Sequence, residues 1–237
     1  MGIVRVTEEE NVLSGIRDIV VMGDPGCSGL DGNASRVYGT LLGTPGDIFI
    51  VNGDIVRMGT EEEYSEFSRF TGCATAKPVY CSRGNHDMRD YDRFFGLHNY
   101  IILSGAFAAA VLDTASRVFE PKALDFLGAM LDKHRDKRFI VLFHIPPKNE
   151  LTGRGIADEE WAKLKRVMDP HMGRIDCVIT GHIHAYYQYE LDGYRIFISG
   201  GAGAELDEVG SPEARVFHAL KIAVRDGKPS GVDVVKA

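Results

Sequence analysis

The sequence has few cysteines, and none of them form a closely spaced pair. The four residues are Cys27, Cys73, Cys81 and Cys177. Without CxxC spacing they argue against a zinc ribbon, and their scatter argues against the dense disulfide framework of a small secreted protein. We therefore expect reduced thiols in a cytosolic environment.

A long apolar run and an apolar N-terminal signal are also missing. No stretch approaches the roughly 18 apolar residues that a membrane-spanning helix needs. The first 18 residues carry acidic side chains where a signal peptide would carry its apolar segment. These absences predict a cytoplasmic protein that does not bind a membrane.

The chain lacks an excess of positive charge as well. Lysine and arginine total 27 against 34 aspartate and glutamate residues, so the formal net charge is −7. Proteins that hold nucleic acid usually carry a basic surface, so no nucleic-acid partner is expected. An acidic protein can still bind a phosphate group, because bound metal cations dominate the local charge. With 44% hydrophobic and 26% charged residues, the composition excludes disorder and predicts one domain over residues 1–237.

What the sequence does contain is a series of short apolar runs that alternate with helical patterns. Continuous β-branched runs are typical of strands covered on both faces. The predicted strands are Ile19–Met22, Ile48–Val51, Pro78–Cys81, Phe139–Phe143, Cys177–Ile179 and Ile196–Ile198. Predicted helices run from a capping box at Thr60 to about Phe70, from Pro121, and from about Asp158 to Pro170. Asp226-Gly227 predicts a turn between two late strands, and the whole pattern indicates an α/β fold.

Polar residues follow five of these apolar runs. They are Asp24, Asn52-Gly53-Asp54, Gly84-Asn85-His86-Asp87, His144 and Gly181-His182-Ile183-His184. In an open α/β sheet, ligands bind at the carboxyl ends of the strands. Carboxylate, amide oxygen and imidazole are suitable ligands for manganese, iron or zinc. Taken singly, Asp24 and Asp54 are typical of turns, and His144 is typical of a packed core histidine. Five polar segments that each follow a predicted strand, in this order, favour a metal site instead.

This ordered set of motifs resembles the calcineurin-like metallophosphoesterases, over about Asp18 to Gly203. The pattern of that superfamily is D-x-H, G-D, G-N-H-D/E, H and G-H-x-H. The resemblance implies a four-layer α-β-β-α sandwich, in which two mixed β-sheets are flanked by helices. It also implies hydrolysis of a phosphomonoester or phosphodiester by a hydroxide that two metal ions activate. A small phosphorylated metabolite or nucleotide is the expected substrate.

The resemblance also implies roles for individual residues. The implied metal ligands are Asp24, Asp54, Asn85, His144, His182 and His184, and Asp54 would bridge two divalent ions of manganese, iron or zinc. His86 would be catalytic, donating a proton to the leaving oxygen or a hydrogen bond to the phosphoryl group. Asp87 would orient His86, and Asn85 would also contact the substrate.

The first motif departs from the family pattern. Gly26 stands where most members carry the histidine of D-x-H. Purple acid phosphatases also have D-x-G, and the Val141–His144 spacing and the segment 199–203 are similar to theirs. In those enzymes a tyrosine of G-D-x-x-Y supplies the missing ligand. The corresponding residue in this chain is Arg57, which stays protonated and cannot coordinate a cation.

Three interpretations of the incomplete first site stay open. Its remaining motif ligands are Asp24, Asp54 and His184. Waters complete the shell of a weaker metal, or a nearby group such as Cys27 replaces the ligand, or the site is empty. Arg57 either contacts substrate phosphate or pairs with a surface carboxylate, because arginine suits both. The gap also motivates an alternative function, a metal-poor, non-catalytic binding scaffold on the same fold.

Overall fold

Two β-sheets and five α-helices form the described part of the computed structural model, which comprises residues 2–26, 32–226 and 228–237. The strands are β1 (Gly2–Ile3), β2 (Glu10–Val12), β3 (Asp18–Met22), β4 (Ile48–Asn52), β5 (Pro78–Ser82), β6 (Tyr100–Ser104), β7 (Phe107–Val111), β8 (Arg138–Leu142), β9 (Ile175–Thr180), β10 (Tyr186–Leu191), β11 (Tyr194–Ser199), β12 (His218–Arg225) and β13 (Lys228–Lys236). The α-helices are α1 (Gly32–Leu42), α2 (Glu61–Ala74), α3 (Tyr91–Phe94), α4 (Pro121–Lys133) and α5 (Asp158–Met168). Short 3₁₀ helices span Asp169–Arg174 and Pro212–Ala214.

Both sheets are mixed. The first has the strand order β1-β5-β4-β3-β12-β13, and the second has the order β10-β11-β9-β8-β7-β6-β2. In the first sheet β1, β5, β4 and β3 are parallel, whereas β12 and β13 are antiparallel to their neighbours. In the second sheet β7, β8, β9 and β11 are parallel. The N-terminal segment supplies an edge strand to each sheet, β1 and β2.

Strand β3 shows why the predicted strands are continuously apolar. Its alternate side chains point to opposite faces of the first sheet. Ile19 and Val21 belong to the core between the two sheets, while Val20 and Met22 pack under the outer helices. Because both faces are covered, neither face of the strand needs polar residues.

The helices complete four layers. Tyr38 of α1 and Phe67 of α2 are fully buried against the outer face of the first sheet. Leu127 of α4 and Leu164 of α5 are fully buried against the second sheet. The order helix, sheet, sheet, helix confirms the predicted α-β-β-α sandwich. Among the described residues, no helix has the length and apolar character needed to cross a membrane.

The structure confirms the predicted starts of α2 and α4 and the predicted end of α5. The Glu63 N–H donates to the Thr60 hydroxyl at 3.3 Å, and the Thr60 N–H donates to the Glu63 carboxylate at 3.1 Å, which closes the capping box of α2. Helix α4 begins at Pro121, where a missing N–H costs nothing. Helix α5 ends at Met168, two residues before Pro170.

The C-terminal strands form the predicted antiparallel pair, with Arg225 opposite Lys228. Asp226 lies between them with a left-handed φ of 50°, while Gly227, the other residue of the predicted turn, is outside the described residues. Strand β7 is not among the predicted strands. Its sequence, Phe-Ala-Ala-Ala-Val, carries the helix-favouring residue alanine at three positions, yet all five side chains are buried in the second sheet.

Candidate metal centre and active site

The candidate site lies where the carboxyl ends of parallel strands from both sheets meet. Strands β3, β4 and β5 of the first sheet lead to Asp24, Asp54 and Asn85. Strands β8 and β9 of the second sheet lead to His144 and His182. Because the two sheets pack face to face, side chains that are far apart in sequence converge at one edge of the sandwich.

Asn52, at the end of β4, links the two sheets beneath this edge. Its amide group donates hydrogen bonds to the carbonyl oxygens of Phe143, at 3.1 Å, and Ile179, at 3.2 Å. The Ser82 hydroxyl donates to the Asn52 side-chain oxygen at 2.9 Å. Asn52 and Ser82 are fully buried, so this network fixes the floor of the site. The sequence motif included Asn52 but carried no signal of this bridging role.

The predicted ligands from both sheets lie close together. His144 Nε2 is 3.2 Å from Asp54 Oδ2 and 4.0 Å from Asp24 Oδ1, and His184 Nε2 is 3.5 Å from Asp24 Oδ1. Asp54, His144 and His182 each offer a ligand atom, and these three atoms lie within 4.8 Å of one another. The structure therefore gathers carboxylates and imidazoles in one cluster, as a metal centre requires.

Three buried ligand atoms in this region have no hydrogen-bond partner: Asp24 Oδ1, Asn85 Oδ1 and His144 Nε2. His144 Nε2 lies 3.2 Å from Asp54 Oδ2, which is an ion-pair contact between two predicted ligands. A buried polar atom without a partner costs about 1–3 kcal/mol, so such atoms need an explanation. All three are oxygen or imidazole nitrogen donors, which divalent cations bind. The residues therefore fit a metal centre.

Three histidines in this region have one ring nitrogen fixed by a backbone carbonyl. The contacts are His144 Nδ1 to Asn52 O at 2.9 Å, His184 Nδ1 to Glu205 O at 2.8 Å and His86 Nδ1 to Arg57 O at 2.8 Å. A carbonyl oxygen only accepts, so Nδ1 must carry the hydrogen in each case. In His144 and His184 this assigns Nε2 as the ligand atom, the arrangement typical of metal-binding histidines.

The buried carboxylates determine the charge of the cluster. Burial disfavours a charged His144, but Asp54 and Asp24 outweigh burial and raise the pKa of His144 to about 9. Burial, followed by the charge of His144, lowers the pKa of His182 to about 3. Burial alone would raise the pKa of Asp54, but the charge of His144 and the His86 N–H hold it well below its usual range. A metal cation bound in the cluster would replace the proton of His144.

Three of the predicted ligands have a left-handed backbone. The φ angles are 63° at Asp24, 49° at Asp54 and 69° at His182. Residues with a Cβ seldom adopt this conformation, which costs of order 1–3 kcal/mol, and such residues cluster at functional sites. The Asp24 carboxylate accepts the His182 N–H at 3.0 Å, and the Asp54 carboxylate accepts the His86 N–H at 2.9 Å. These bonds hold the strained turns in place.

Asp87 contacts the main chain and not the His86 ring. Its carboxylate, which is fully buried, accepts hydrogen bonds from Gly84 N at 2.9 Å, Ile55 N at 3.1 Å, Val56 N at 3.3 Å and Tyr64 Oη at 3.3 Å. The His86 ring is oriented by the Arg57 carbonyl instead. The expected orientation of His86 by Asp87 can therefore act only through the loop that carries the Arg57 carbonyl, which Asp87 fixes.

The packing of Gly26 explains the departure from D-x-H. A Cβ on Gly26 would lie 1.8 Å from the Ile55 carbonyl oxygen and 3.3 Å from Val56 Cα. Only glycine allows two backbone segments to approach so closely. A histidine at this position would require the segment 55–56 to move, and this segment donates two N–H groups to Asp87. Cys27, the suggested replacement ligand, lies outside the described residues.

Four charged residues lie beside the ligand cluster, and only one of them, Arg57, was singled out from the sequence. Arg57 is exposed, and no described residue makes a hydrogen bond or ion pair with its guanidinium. Asp207 accepts the His184 N–H at 2.8 Å and pairs with Arg154. Arg117 Nη2 lies 3.4 Å from His182 Nε2. Arg117, Arg154 and Asp207 lie outside the sequence motifs, so no sequence signal identified them.

The motifs that form this site all lie in the part of the chain that matches one protein family. A profile of the family described as calcineurin-like phosphoesterase matches residues 17–186. The chain belongs to this family. The matched region contains Asp24, Asp54, Asn85, His144, His182 and His184. Membership together with the ligand cluster supports metal-dependent phosphoester hydrolysis. No curated protein sequence matches the chain.

Solved structures of phosphatases share the fold of this calcineurin-like phosphoesterase. A purple acid phosphatase, PPD1, from yellow lupin (Lupinus luteus) seeds matches with a TM-score of 0.72 and 14% identity, over 94% of this chain and 54% of the lupin chain. The chain thus spans about half the length of that protein. A dimetal phosphatase from Danio rerio matches with a TM-score of 0.67 and 11% identity, over 88% of this chain and 92% of that one. GAP50, the anchor in the inner membrane complex of Plasmodium, matches with a TM-score of 0.65 and 13% identity, over 93% and 89% of the two chains. At these identities the similarity establishes the fold alone.

Proposed function

We propose that this protein hydrolyses a phosphomonoester or phosphodiester on a small phosphorylated metabolite or nucleotide, with two divalent metal ions as cofactors. The observation that carries the proposal is the set of buried ligand atoms without a hydrogen-bond partner, Asp24 Oδ1, Asn85 Oδ1 and His144 Nε2, at the edge where the two sheets meet. A net charge of −7 favours a small substrate over a nucleic acid.

Two sets of residues would hold the metal ions. One set is Asp54, Asn85, His144 and His182, and the other is Asp24, Asp54 and His184, with Asp54 shared. When bound, divalent cations neutralise phosphoryl charge and generate a nucleophile from water at neutral pH. The second of these sets is the incomplete first site of the family pattern. Because it has only three protein ligands, we expect it to hold its cation more weakly than the set of four.

His86 is the proposed proton donor. Its Nε2 lies 3.9 Å from Asp54 Oδ2, beside the ligand cluster, and 44% of its side chain is exposed, so a substrate can reach it. Because Nδ1 already donates its hydrogen to the Arg57 carbonyl, Nε2 can donate a proton only from the imidazolium form. That proton would pass to the leaving-group oxygen as the ester bond breaks, a contribution of about 10²–10⁴ in rate.

Arg57 is a proposed phosphate contact on the His86 side of the site. Its guanidinium is exposed and has no ion-pair partner among the described residues, whereas its carbonyl is committed to His86. A free guanidinium matches a phosphoryl group geometrically and keeps its charge at every physiological pH.

Hydrolysis of p-nitrophenyl phosphate and bis-p-nitrophenyl phosphate, with added Mn²⁺ and with a chelator control, tests this function. We expect chelator-sensitive turnover, and the preferred ester will separate a monoesterase from a diesterase. A His86→Ala variant should keep its metal and lose more activity on phenyl phosphate than on p-nitrophenyl phosphate, because the poorer leaving group needs the proton more. His171→Ala, a histidine in the 3₁₀ helix that precedes β9, serves as the matched control.

A non-catalytic scaffold is the second candidate. The observation that favours it is the close packing of Gly26, which removes one ligand position from the first metal site. GAP50, described as an anchor, shares the fold. No turnover of either ester after incubation with several metals would support this metal-poor scaffold and contradict the hydrolase.

A further inference from the structure

Arg117 lies in a loop that is fixed to the metal-ligand edge of the second sheet. The loop follows β7, whose last residue pairs with Leu142 at the end of β8. The Thr114 hydroxyl accepts the Ile145 N–H at 3.0 Å, and the Arg117 N–H donates to the Thr114 carbonyl at 2.8 Å. These two bonds attach the turn that carries Arg117 directly to the segment that follows His144.

The backbone of Arg117 has a left-handed φ of 67°. A side chain with a Cβ seldom adopts this conformation unless the surroundings impose it, and such residues concentrate at binding sites. The Phe119 N–H donates to the Glu160 carboxylate at 2.9 Å, and the Phe119 ring packs edge-on against Phe143. The loop is therefore held on both sides of Arg117.

The guanidinium of Arg117 reaches the metal ligands. Nη2 lies 3.4 Å from His182 Nε2, and Nη1 lies 3.4 Å from the Gly155 carbonyl oxygen. Arginine only donates, so His182 Nε2 is the acceptor and presents a lone pair. The same lone pair would bind the metal ion, so a bound cation would release Arg117 from this contact. The released donor would remain at the edge of the site.

Like Arg57, and unlike Arg83 and Arg154, Arg117 has no acidic partner among the described residues. Arg83 is 2.7 Å from Asp113, and Arg154 pairs with Asp207. Within the described ranges, no carboxylate lies at ion-pair distance from Arg117. An uncompensated guanidinium beside a cluster of buried carboxylates attracts an additional anion when cations neutralise that cluster.

We propose that Arg117 is a substrate-binding residue, which donates hydrogen bonds to the non-bridging oxygens of the phosphoryl group on the His182 side of the site. The inference rests on the proposed phosphoester hydrolysis. Arginine offers a planar pair of donors that matches two oxygens of a phosphoryl group. Arg117 would contact the phosphoryl group from the second sheet, on the side opposite to His86, which belongs to the first.

Binding of inorganic phosphate to the Mn²⁺-loaded protein, measured by calorimetry, tests this role without requiring turnover. Loss of a charge-assisted hydrogen bond in Arg117→Ala should weaken phosphate binding about tenfold or more and raise KM for p-nitrophenyl phosphate by a similar factor. Arg117→Lys keeps the charge but not the planar fork, so a smaller loss is expected. The bound Mn²⁺ per chain should stay unchanged in both variants.

Arg135→Ala is the matched control. Arg135 follows α4 and precedes the start of β8, whereas the site lies past the end of that strand. Its removal changes the net charge equally, so it should leave phosphate binding unchanged. A similar loss of phosphate affinity in Arg135→Ala and Arg117→Ala would show that overall charge causes the effect, and would overturn the proposal.

Three other outcomes would also overturn the role of Arg117. Unchanged phosphate affinity in Arg117→Ala would show that the guanidinium does not contact phosphate, and a wild-type protein that still hydrolyses esters would leave the proposed function intact. A wild-type protein that binds Mn²⁺ but neither binds phosphate nor hydrolyses either ester would contradict both proposals together. Tighter Mn²⁺ binding in Arg117→Ala without a change in phosphate affinity would show that Arg117 only competes with the metal.

Discussion

Replacing Gly26 with alanine tests whether packing excludes a side chain at the D-x-H position. An added Cβ would lie 1.8 Å from the Ile55 carbonyl oxygen, far inside van der Waals contact, so the backbone at Ile55 must move by more than about an ångström. That movement disturbs the hydrogen bonds from Ile55 N and Val56 N to the buried Asp87 carboxylate. Overpacking and weakened bonds together should destabilise the fold by about 2–3 kcal/mol.

Thermal unfolding in the presence of a chelator measures this effect without a contribution from metal binding. For a chain of this size, about 2–3 kcal/mol corresponds to a decrease of about 4–12 °C in Tm. Gly72→Ala is the matched control, because Gly72 lies in α2 and an added Cβ there meets no atom within 4 Å. Alanine is favoured over glycine in a helix by about 0.5–1 kcal/mol, so the control should raise Tm slightly.

Equal stability of Gly26→Ala and the wild-type protein would refute this reasoning. It would show that the segment 55–56 moves aside at little cost, and that the missing histidine has another cause. Gly26→His provides a second readout. If packing excludes the side chain, this variant should be destabilised and should bind no more metal per chain than the wild type.

Three further variants test other parts of the account. Mn²⁺ at about 100 times its Kd should stabilise the wild-type protein by about 2.7 kcal/mol; Asp54→Asn should lose most of the resulting rise in Tm, and an equal rise would contradict the bridging role of Asp54. Tyr64→Phe removes the hydroxyl that donates to Asp87 and should lower the free energy of unfolding in urea by about 0.5–1.5 kcal/mol, with the metal content unchanged; an unchanged free energy of unfolding would show that this bond adds nothing. The hydrogen bond to Asp113 raises the pKa of His98 above 6.5, although burial opposes it, so the folded state favours the imidazolium. The stabilisation that protonated His98 gives the folded state is fully present below the pKa of His98 in the unfolded state. It is lost as the pH rises through the higher pKa of His98 in the folded state. Urea unfolding should therefore show stability falling as the pH rises above about 6.5 in the wild type, and a smaller fall in His98→Gln; parallel pH profiles would refute this contribution.

Local signals made much of the fold predictable. The capping box at Thr60 and Glu63 is a contact between residues three apart, so the sequence alone indicates the start of α2. The apolar run at β3 is covered on both faces, and a continuous β-branched run is the direct consequence of that placement. The ligand motifs were recognisable because each is a short segment at the end of a strand.

Long-range contacts were not predictable in the same way. Arg117 reaches His182 across 65 positions, and Asn52 bonds to Ile179 across 127 positions, so no local pattern indicates either pairing. The orientation of His86 depends on a backbone carbonyl, which every residue carries and which therefore leaves no mark in the sequence. The alanines of β7 favour a helix locally, but burial inside the second sheet overrides that preference.

The measurement that tests the central claim most directly is phosphoester hydrolysis as a function of bound metal per chain. The protein is stripped with a chelator, reloaded with defined equivalents of Mn²⁺, and assayed while bound metal is counted by mass spectrometry. The account predicts no turnover in the stripped protein and recovery as metal rebinds, with the weaker of two sites filling last. Turnover that survives complete metal removal, or full reloading with no turnover, would contradict it.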